Sequence, residues 1–139
     1  MSLRYLSLVL LVGAILSVAT GTAAVTSPLD GRWTASITRA QLLRAGASTS
    51  LAVKLYGTYT ARYRNGRFEF RNHRTGAVAR GTFTVRGKVS RIVFATGVGV
   101  KPGQISECTW NIYKDRLTFK PIHGRPSLLC DAGVWARVG

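Results

Sequence analysis

The sequence predicts an all-β protein, a single antiparallel up-and-down β-barrel of about eight strands with one short helix after the first strand. Three observations predict this fold. Apolar and polar residues alternate along most of the chain from Leu51 onward, turn-forming pairs such as Asn65-Gly66 separate the alternating runs, and no long helical pattern interrupts them. A closed barrel also leaves no unpaired strand edge in solvent. A sandwich of two sheets is the alternative architecture.

The N-terminal segment has the pattern of a signal peptide. Arg4 supplies a positive charge, residues 6–18 form an apolar run, and Thr22-Ala23-Ala24 places small residues where signal peptidase cleaves. The run is shorter than the roughly 20 residues that cross a bilayer. We therefore expect residues 1–24 to be removed and residues 25–139 to form one secreted barrel domain with no transmembrane segment. An uncleaved N-terminal anchor is the alternative.

The first strand is expected at residues 33–35, shortly after Gly31. Thr38 and Gln41 then match a helical capping box, in which the threonine hydroxyl accepts from the third amide and the glutamine side chain reaches back to the cap amide. This pair predicts a short helix over 39–45, and Gly46 suits the position that follows a helix.

The second strand is expected to be long, over residues 51–64, because its apolar residues recur at every second position. Gly57, near its middle, is expected to mark a bend or bulge. The residues that share the inward parity are Leu51, Val53, Leu55, Tyr59 and Tyr63.

Six further strands complete the predicted barrel, over 67–72, 77–86, 88–94, 106–113, 116–122 and 134–138, with a glycine-rich loop over 95–104. The orientation of strand 88–94 is open. Either Ile92 and Phe94 face the interior, or Arg91 does so between two valines. We favour the first orientation because it keeps Arg91 in water.

Cys108 and Cys130 are the only two cysteines. In an exported chain a lone pair is typical of one disulfide, which would close a loop of 22 residues. The alternatives are two free thiols or half of a metal site, for which His123 is the only other ligand type between them. His73 and His123 both occur in predicted turns without a second ligand at a recognisable spacing, so we expect no metal and no cofactor.

Positive charge dominates the chain. The formal net charge is +15, and without the segment that contains Arg4 it is +14, from 19 Lys and Arg against 5 Asp and Glu. The chain should therefore attract polyanions. The candidate polyanion-binding residues fall on the polar faces of neighbouring predicted strands: Arg62, Arg64, Arg67, Arg71, Arg80, Arg86 and Lys88. A solvated basic face is the alternative, and no specific nucleic-acid site is evident because few aromatic residues are interleaved with the charges.

The pattern resembles the lipocalin-like (calycin) barrels. Gly31-Arg32-Trp33 matches the Gly-x-Trp that opens their first strand, and Arg137 lies in the closing strand. More locally, segments such as Asn65-Gly66-Arg67-Phe68 and Trp135-Ala136-Arg137 resemble small exported lipocalin-like proteins of actinobacteria. The resemblance implies that Arg137 packs across the ring of Trp33 and ties the base of the barrel together. It also implies binding more often than catalysis.

A ligand-binding interior is the first functional hypothesis, and a filled core is its alternative. Tyr59, Tyr63 and Arg91 are the polar groups that could anchor a ligand's anionic head. The candidate lining residues are Tyr59, Tyr63, Phe68, Phe70, Phe83, Arg91, Trp110 and Phe119. The five carboxylates show no paired spacing and no catalytic motif is present, so we expect a binding protein rather than an enzyme; an isomerase or cyclase on the same barrel, as some lipocalin-like proteins are, is the alternative. The second hypothesis is a basic module with a solid core that associates with anionic envelope polymers.

Overall fold

The computed structural model describes residues 26–122, 127–131 and 133–139. The predicted signal peptide and His123 lie outside these residues. The described residues form eight strands and two helices in the order β1 Gly31–Ile37, α1 Arg39–Arg44, α2 Thr49–Leu55, β2 Gly57–Arg64, β3 Arg67–Asn72, β4 Val78–Arg86, β5 Val89–Thr96, β6 Ile105–Tyr113, β7 Arg116–Pro121 and β8 Val134–Val138.

The strands form one closed antiparallel barrel in sequence order. Each strand pairs with the next, and β8 returns to β1 with Trp33 opposite Arg137. The closed eight-stranded barrel predicted from the sequence is therefore confirmed, and the two-sheet sandwich is excluded. Closure gives every strand two neighbours, so no long edge is left unpaired.

The prediction of one long second strand over 51–64 is wrong in its first half. Residues Thr49–Leu55 form helix α2, which begins after Ser48, whose hydroxyl accepts from the amide of Leu51. Strand β2 starts only at Gly57, where φ is +143°. A Cβ at Gly57 would lie 2.7 Å from Oδ1 of Asn72, so the turn from helix to strand requires glycine here.

The two ends of the barrel differ. At one end, called the base, tight turns at residues 65–66, 87–88 and 114–115 join the strands. At the other end, called the top, lie the connection 38–56 with both helices, the turn 73–77, the loop 97–104 and the β7–β8 connection. The turn 65–66 and the segment 26–28 border a space of about 510 Å³ at the base, whereas the longer connections at the top supply more side chains and are the more favourable place for a site.

Trp33 closes the base. Its side chain is fully buried and its indole N–H donates to the carbonyl of Leu29 over 2.9 Å. The guanidinium of Arg137 lies 4.3 Å from the centre of the Trp33 ring and donates to the carbonyl of Asp30. This contact joins the last strand to the first and to the segment that precedes it.

Aromatic side chains fill the lower interior. Tyr63 packs edge-on against Phe83 with ring centres 5.0 Å apart, and Phe68 packs against Phe94 at 5.4 Å. Ile92 and Phe94 are buried whereas Arg91 is exposed, so β5 has the favoured orientation and the alternative with Arg91 facing inward is wrong. A period of two places alternate residues of a strand on opposite faces, and the apolar set is the one inside.

A disulfide joins Cys108 of β6 to Cys130 of the β7–β8 connection. Both cysteines are buried in the core, and the described residues contain no free cysteine. Closing a loop of this length contributes roughly 3 kcal/mol to stability in the chain-entropy account. The predicted pairing is confirmed, and the bond holds part of the top connection against the barrel wall.

Candidate functional site

An apolar cavity of about 120 Å³ lies at the top of the barrel, beneath the helices. Strands contribute its floor and sides, while α1, α2 and the loop 97–104 contribute its upper wall. The principal lining residues are Ile37, Leu42, Leu55, Tyr59, Phe70, Asn72, Ala79, Phe94, Val98, Val100, Leu128 and Trp135. All of them except Tyr59, Asn72 and Trp135 have wholly apolar side chains, so the cavity favours an apolar occupant.

Asn72 is the most buried polar residue of the cavity wall, with a side chain that is 1% exposed. Its amide nitrogen donates to the carbonyls of Leu55 and Tyr56, each over 3.2 Å. Its carbonyl oxygen accepts from the amides of Arg74 and Thr75. Every hydrogen-bonding position of Asn72 is thereby used, and the residue holds the end of α2 against the turn 73–77 instead of addressing the cavity.

Tyr59 is half-buried beside Asn72, and its hydroxyl donates to the carbonyl of Leu55. Burial raises the pKa of the Tyr59 phenol, although the neighbouring side chain of Asn72 and the charge of Arg74 oppose this shift. The hydroxyl therefore stays protonated at neutral pH and is occupied by an internal partner. Neither polar residue leaves a charge or a free donor to anchor an ionised ligand inside the cavity.

Arg39, Tyr56 and Arg74 form a polar rim beside the cavity. The guanidiniums of Arg39 and Arg74 both lie over the Tyr56 ring, with their central carbons 4.4 Å and 3.7 Å from the ring centre. Arg74 also donates to the carbonyls of Val53 and Tyr56 at the end of α2. The hydrogen bond with Arg39 and the charge of Arg74 lower the pKa of the Tyr56 phenol.

A wider cleft of about 930 Å³ adjoins the cavity. It runs between the α1–α2 connection, the loop 97–104 and the start of β6, and it includes Ser106 and Glu107 among its polar walls. The two spaces share Phe94, Val100 and Leu128. A ligand whose apolar part occupies the cavity could therefore extend a more polar part into this cleft.

The predicted lining residues divide into three groups. Tyr59 and Phe70 line the cavity. Arg91 lies on the outer surface, with Glu107 3.9 Å away. The others are buried in the core below the cavity, which they do not line: Tyr63, Phe68, Phe83, Trp110 and Phe119.

Sequence reasoning did not identify the residues that the top connections contribute. Leu42, Val98 and Trp135 line the cavity but were not among the candidates. The capping box of α1 was the available signal, because a helix placed across a barrel end must turn its apolar side toward the interior. No comparable signal marked Asn72, which reads as the last residue of an ordinary strand.

The exterior of β1 to β4 carries a basic surface. Strand register places Arg62 opposite Glu69, and Glu69 opposite Arg80, while Arg32 of β1 lies opposite Arg62. We call the resulting set the basic wall: Arg32, Arg62, Arg64, Arg67, Arg71 and Arg80. Glu69 is the one carboxylate among them on these strands, and it pairs with Arg80 at 3.0 Å and Arg71 at 3.6 Å.

Arg86 and Lys88, also predicted to join this surface, lie beside the turn at the base. The ammonium of Lys88 lies 4.4 Å from the centre of the Trp110 ring. His73 is exposed and its Nε2 is 2.6 Å from the hydroxyl of Thr60. Within residues 26–122, 127–131 and 133–139, no group of three or more metal-ligating side chains is present, and no helix there is long and apolar enough to cross a membrane.

Three comparisons with known proteins found no match for this chain. No protein-family model matches the chain. Likewise, no curated protein and no solved structure matches it. The barrel, its cavity and its basic wall are therefore the observations on which a function must be argued.

Proposed function

We propose that this chain is a secreted, lipocalin-like binding protein that takes a small apolar ligand into the cavity at the top of the barrel. The observation that carries the proposal is the cavity itself, an unfilled space lined by apolar side chains. Aromatic rings pack against one another in the lower core, whereas no side chain occupies the space at the top.

The size of the cavity limits the ligand. Pockets for drug-sized molecules measure about 300–1,000 Å³, whereas an apolar cavity of about 150 Å³ accommodates a benzene-sized molecule. At about 120 Å³ the cavity takes one small ring or the end of a short acyl chain. An anionic head, if the ligand has one, would lie outside the cavity near Arg39 and Arg74, because Tyr59 and Asn72 are occupied by internal hydrogen bonds.

Binding of N-phenyl-1-naphthylamine, an uncharged probe that fluoresces in apolar surroundings, tests the proposal, because its phenyl ring matches the cavity and its larger naphthyl group would lie in the adjoining cleft. We expect saturable binding by the folded protein and displacement by fatty acids. Val100→Phe places a ring where the cavity meets the cleft, so we expect it to weaken probe binding about tenfold or more. Val134→Phe, on the exposed outer face of β8, is the matched control and should bind as the unaltered protein does.

Folded protein that shows no saturable uptake, or a Val100→Phe variant that binds the probe with unaltered affinity, contradicts the proposal. Circular dichroism of each variant shows that the barrel is intact. Mass spectrometry of the protein under native conditions, purified from its own source, would then identify a retained ligand by its mass.

A second candidate function follows from the strand register. The basic wall gathers six guanidiniums around one carboxylate, an arrangement that attracts anionic envelope polymers or other polyanions. It lies on the outside of the barrel and does not compete with the cavity, so one molecule could perform both functions.

A further inference from the structure

Seven large apolar side chains are exposed among the described residues: Leu43, Val53, Val98 and Ile105 lie at the top of the barrel, Val134 on β8, and Tyr113 and Val138 at the base. Leu43 on α1, Val53 on α2 and Val98 in the loop 97–104 are 46%, 43% and 44% exposed. Helix α1, helix α2 and the loop 97–104 each contribute at least one lining residue to the cavity, and Val98 is itself one of them. Burying apolar side chains would have stabilised the fold, so three exposed ones at one end indicate a surface that meets something apolar.

The charges of the same connections have one sign. Residues 38–56, 73–77 and 97–104 contain no Asp or Glu. Their cations are all exposed: Arg39, Arg44, Lys54, Arg74 and Lys101. The remaining top connection contributes Asp131, whose carboxylate accepts from the amide of Ser127 over 3.2 Å. We call this set of three apolar residues and five cations the top surface.

Apolar side chains interspersed with cations suit the interface of an anionic bilayer, where the apolar groups enter the boundary of the acyl chains and the cations meet lipid phosphates. A second copy of the chain suits it less, because two top surfaces facing each other would oppose five cations with five. A polyanion without an apolar layer would leave Leu43, Val53 and Val98 in water.

We propose that the top surface docks on an anionic phospholipid bilayer, with Leu43, Val53 and Val98 in the interface and the cavity mouth turned toward the lipid. The docking surface stands on its own observations. The further consequence, that the cavity takes its apolar ligand from the bilayer, rests on the proposed function. In this orientation the basic wall stands along the side of the barrel and makes little contact with the bilayer.

Vesicle flotation tests the docking. We expect the protein to float with vesicles of phosphatidylcholine and phosphatidylglycerol, and much less with phosphatidylcholine alone. The triple variant Leu43→Ser, Val53→Ser, Val98→Ser should lose about tenfold or more in affinity. Because the three side chains are already exposed, the variant should fold. Tyr113→Ser, at the base and 66% exposed, is the matched control and should bind normally.

Depth of insertion separates docking from attraction by charge. A Val98→Trp variant should lose indole fluorescence on vesicles with brominated acyl chains, whereas a Tyr113→Trp variant should not. The three native tryptophans are buried, and Trp135 lines the cavity, so the unaltered protein on the same vesicles supplies the background that is subtracted from both variants. Equal quenching of both variants, or unaltered flotation of the triple serine variant, overturns the proposal.

Two other occupants give distinct results. If light scattering shows a dimer that the triple serine variant abolishes, and no vesicle binding occurs, the top surface is a contact between copies and the proposal fails. If arginines of the basic wall are required for flotation and Leu43, Val53 and Val98 are not, the bilayer binds the wall and the proposal also fails.

The probe assay keeps this inference distinct from the proposed function. A Leu43→Ser, Val53→Ser variant leaves the cavity lining unchanged, so retention of probe binding with loss of flotation by this variant supports both. Flotation without probe binding by the unaltered protein contradicts the proposed function alone. Probe binding without flotation contradicts the docking alone.

Discussion

Tyr59 and Tyr63 lie on the same face of β2, with Ala61 between them, and their hydroxyls differ in hydrogen bonding. Tyr59 donates its hydroxyl to the carbonyl of Leu55. Tyr63 is 1% exposed, and within the described residues its hydroxyl has no hydrogen-bond partner. A buried hydroxyl without a partner loses its hydration and gains nothing in return, which lowers stability by about 1–3 kcal/mol. The aromatic ring of Tyr63, rather than its hydroxyl, is what the core uses.

We therefore predict that Tyr63→Phe raises the free energy of unfolding by about 1 kcal/mol, because it removes the unpaired hydroxyl and keeps the ring. Tyr59→Phe, the matched variant, should lower it by about 1 kcal/mol because the carbonyl of Leu55 loses a donor. Urea unfolding followed by circular dichroism measures both. A destabilised Tyr63→Phe protein would show that the hydroxyl has a partner after all.

The same tyrosine predicts a dependence on alkaline pH. Burial raises the pKa of Tyr63 above its ordinary value, so the folded protein keeps this proton where the unfolded chain releases it. Below about pH 10 both states keep the proton, and the free energy of unfolding does not depend on this group. Above that pH only the unfolded chain releases the proton, so the free energy of unfolding falls by up to about 1.4 kcal/mol per pH unit for one group. The advantage of Tyr63→Phe should accordingly grow between about pH 9 and about pH 11, and a constant difference would contradict this.

At the scale of elements, the sequence predicted the hairpins, but of the two helices in the β1–β2 connection it predicted only α1. Strand β3 covers exactly the predicted residues, because Asn65 and Gly66 both adopt the positive φ of a tight hairpin turn. Helix α2 was mistaken for a strand because Leu51, Val53 and Leu55 happen to alternate. In the helix, Ala52 is buried and Leu55 packs against the core, while Val53 is exposed. This is the pattern of one apolar helical face, which is difficult to recognise in a segment of only seven residues.

The cavity was less predictable than the barrel. Its floor comes from strand positions such as Phe70, whose inward direction follows from a period of two. Its upper wall comes from Leu42, Val98 and Leu128, which lie far apart in sequence and meet only through tertiary packing. Whether aromatic side chains fill the interior or leave a space is likewise decided by their rotamers and contacts, which alternation does not specify.

Arg74 is the side chain that joins α2 to the turn 73–77. It donates to the carbonyls of Val53, Lys54 and Tyr56 at the end of α2, where backbone carbonyls lack partners within the helix; the Tyr56 carbonyl also accepts from Asn72. We predict that Arg74→Ala lowers the free energy of unfolding by about 1–2 kcal/mol and speeds hydrogen exchange in α2. Arg71→Ala, which removes only an exposed ion pair 3.6 Å long, should change stability by less than about 0.5 kcal/mol. Unaltered exchange in α2 of the Arg74→Ala protein would contradict this role.

At the scale of the whole molecule, two groups of exposed cations are arranged differently. The basic wall groups six arginines on a continuous sheet surface, whereas the top surface spreads five cations over three connections among apolar side chains. If net charge alone determined the affinity for an anionic polymer, removing three cations from either group would have the same effect. Local arrangement matters when a polymer must contact several cations at once, because a sheet holds its side chains at fixed spacings.

These alternatives predict different results for two variants that lose the same charge. Replacing Arg62, Arg64 and Arg67 by glutamine should weaken binding to an anionic polysaccharide about fivefold more than replacing Arg44, Lys54 and Lys101, and should reduce the salt dependence of binding further. All six side chains are exposed, so both variants should fold as the unaltered protein does. Titration at several salt concentrations measures the two slopes. Equal losses in the two variants would show that polymer binding reflects total charge, and the basic wall would then be a solvated surface without a function of its own.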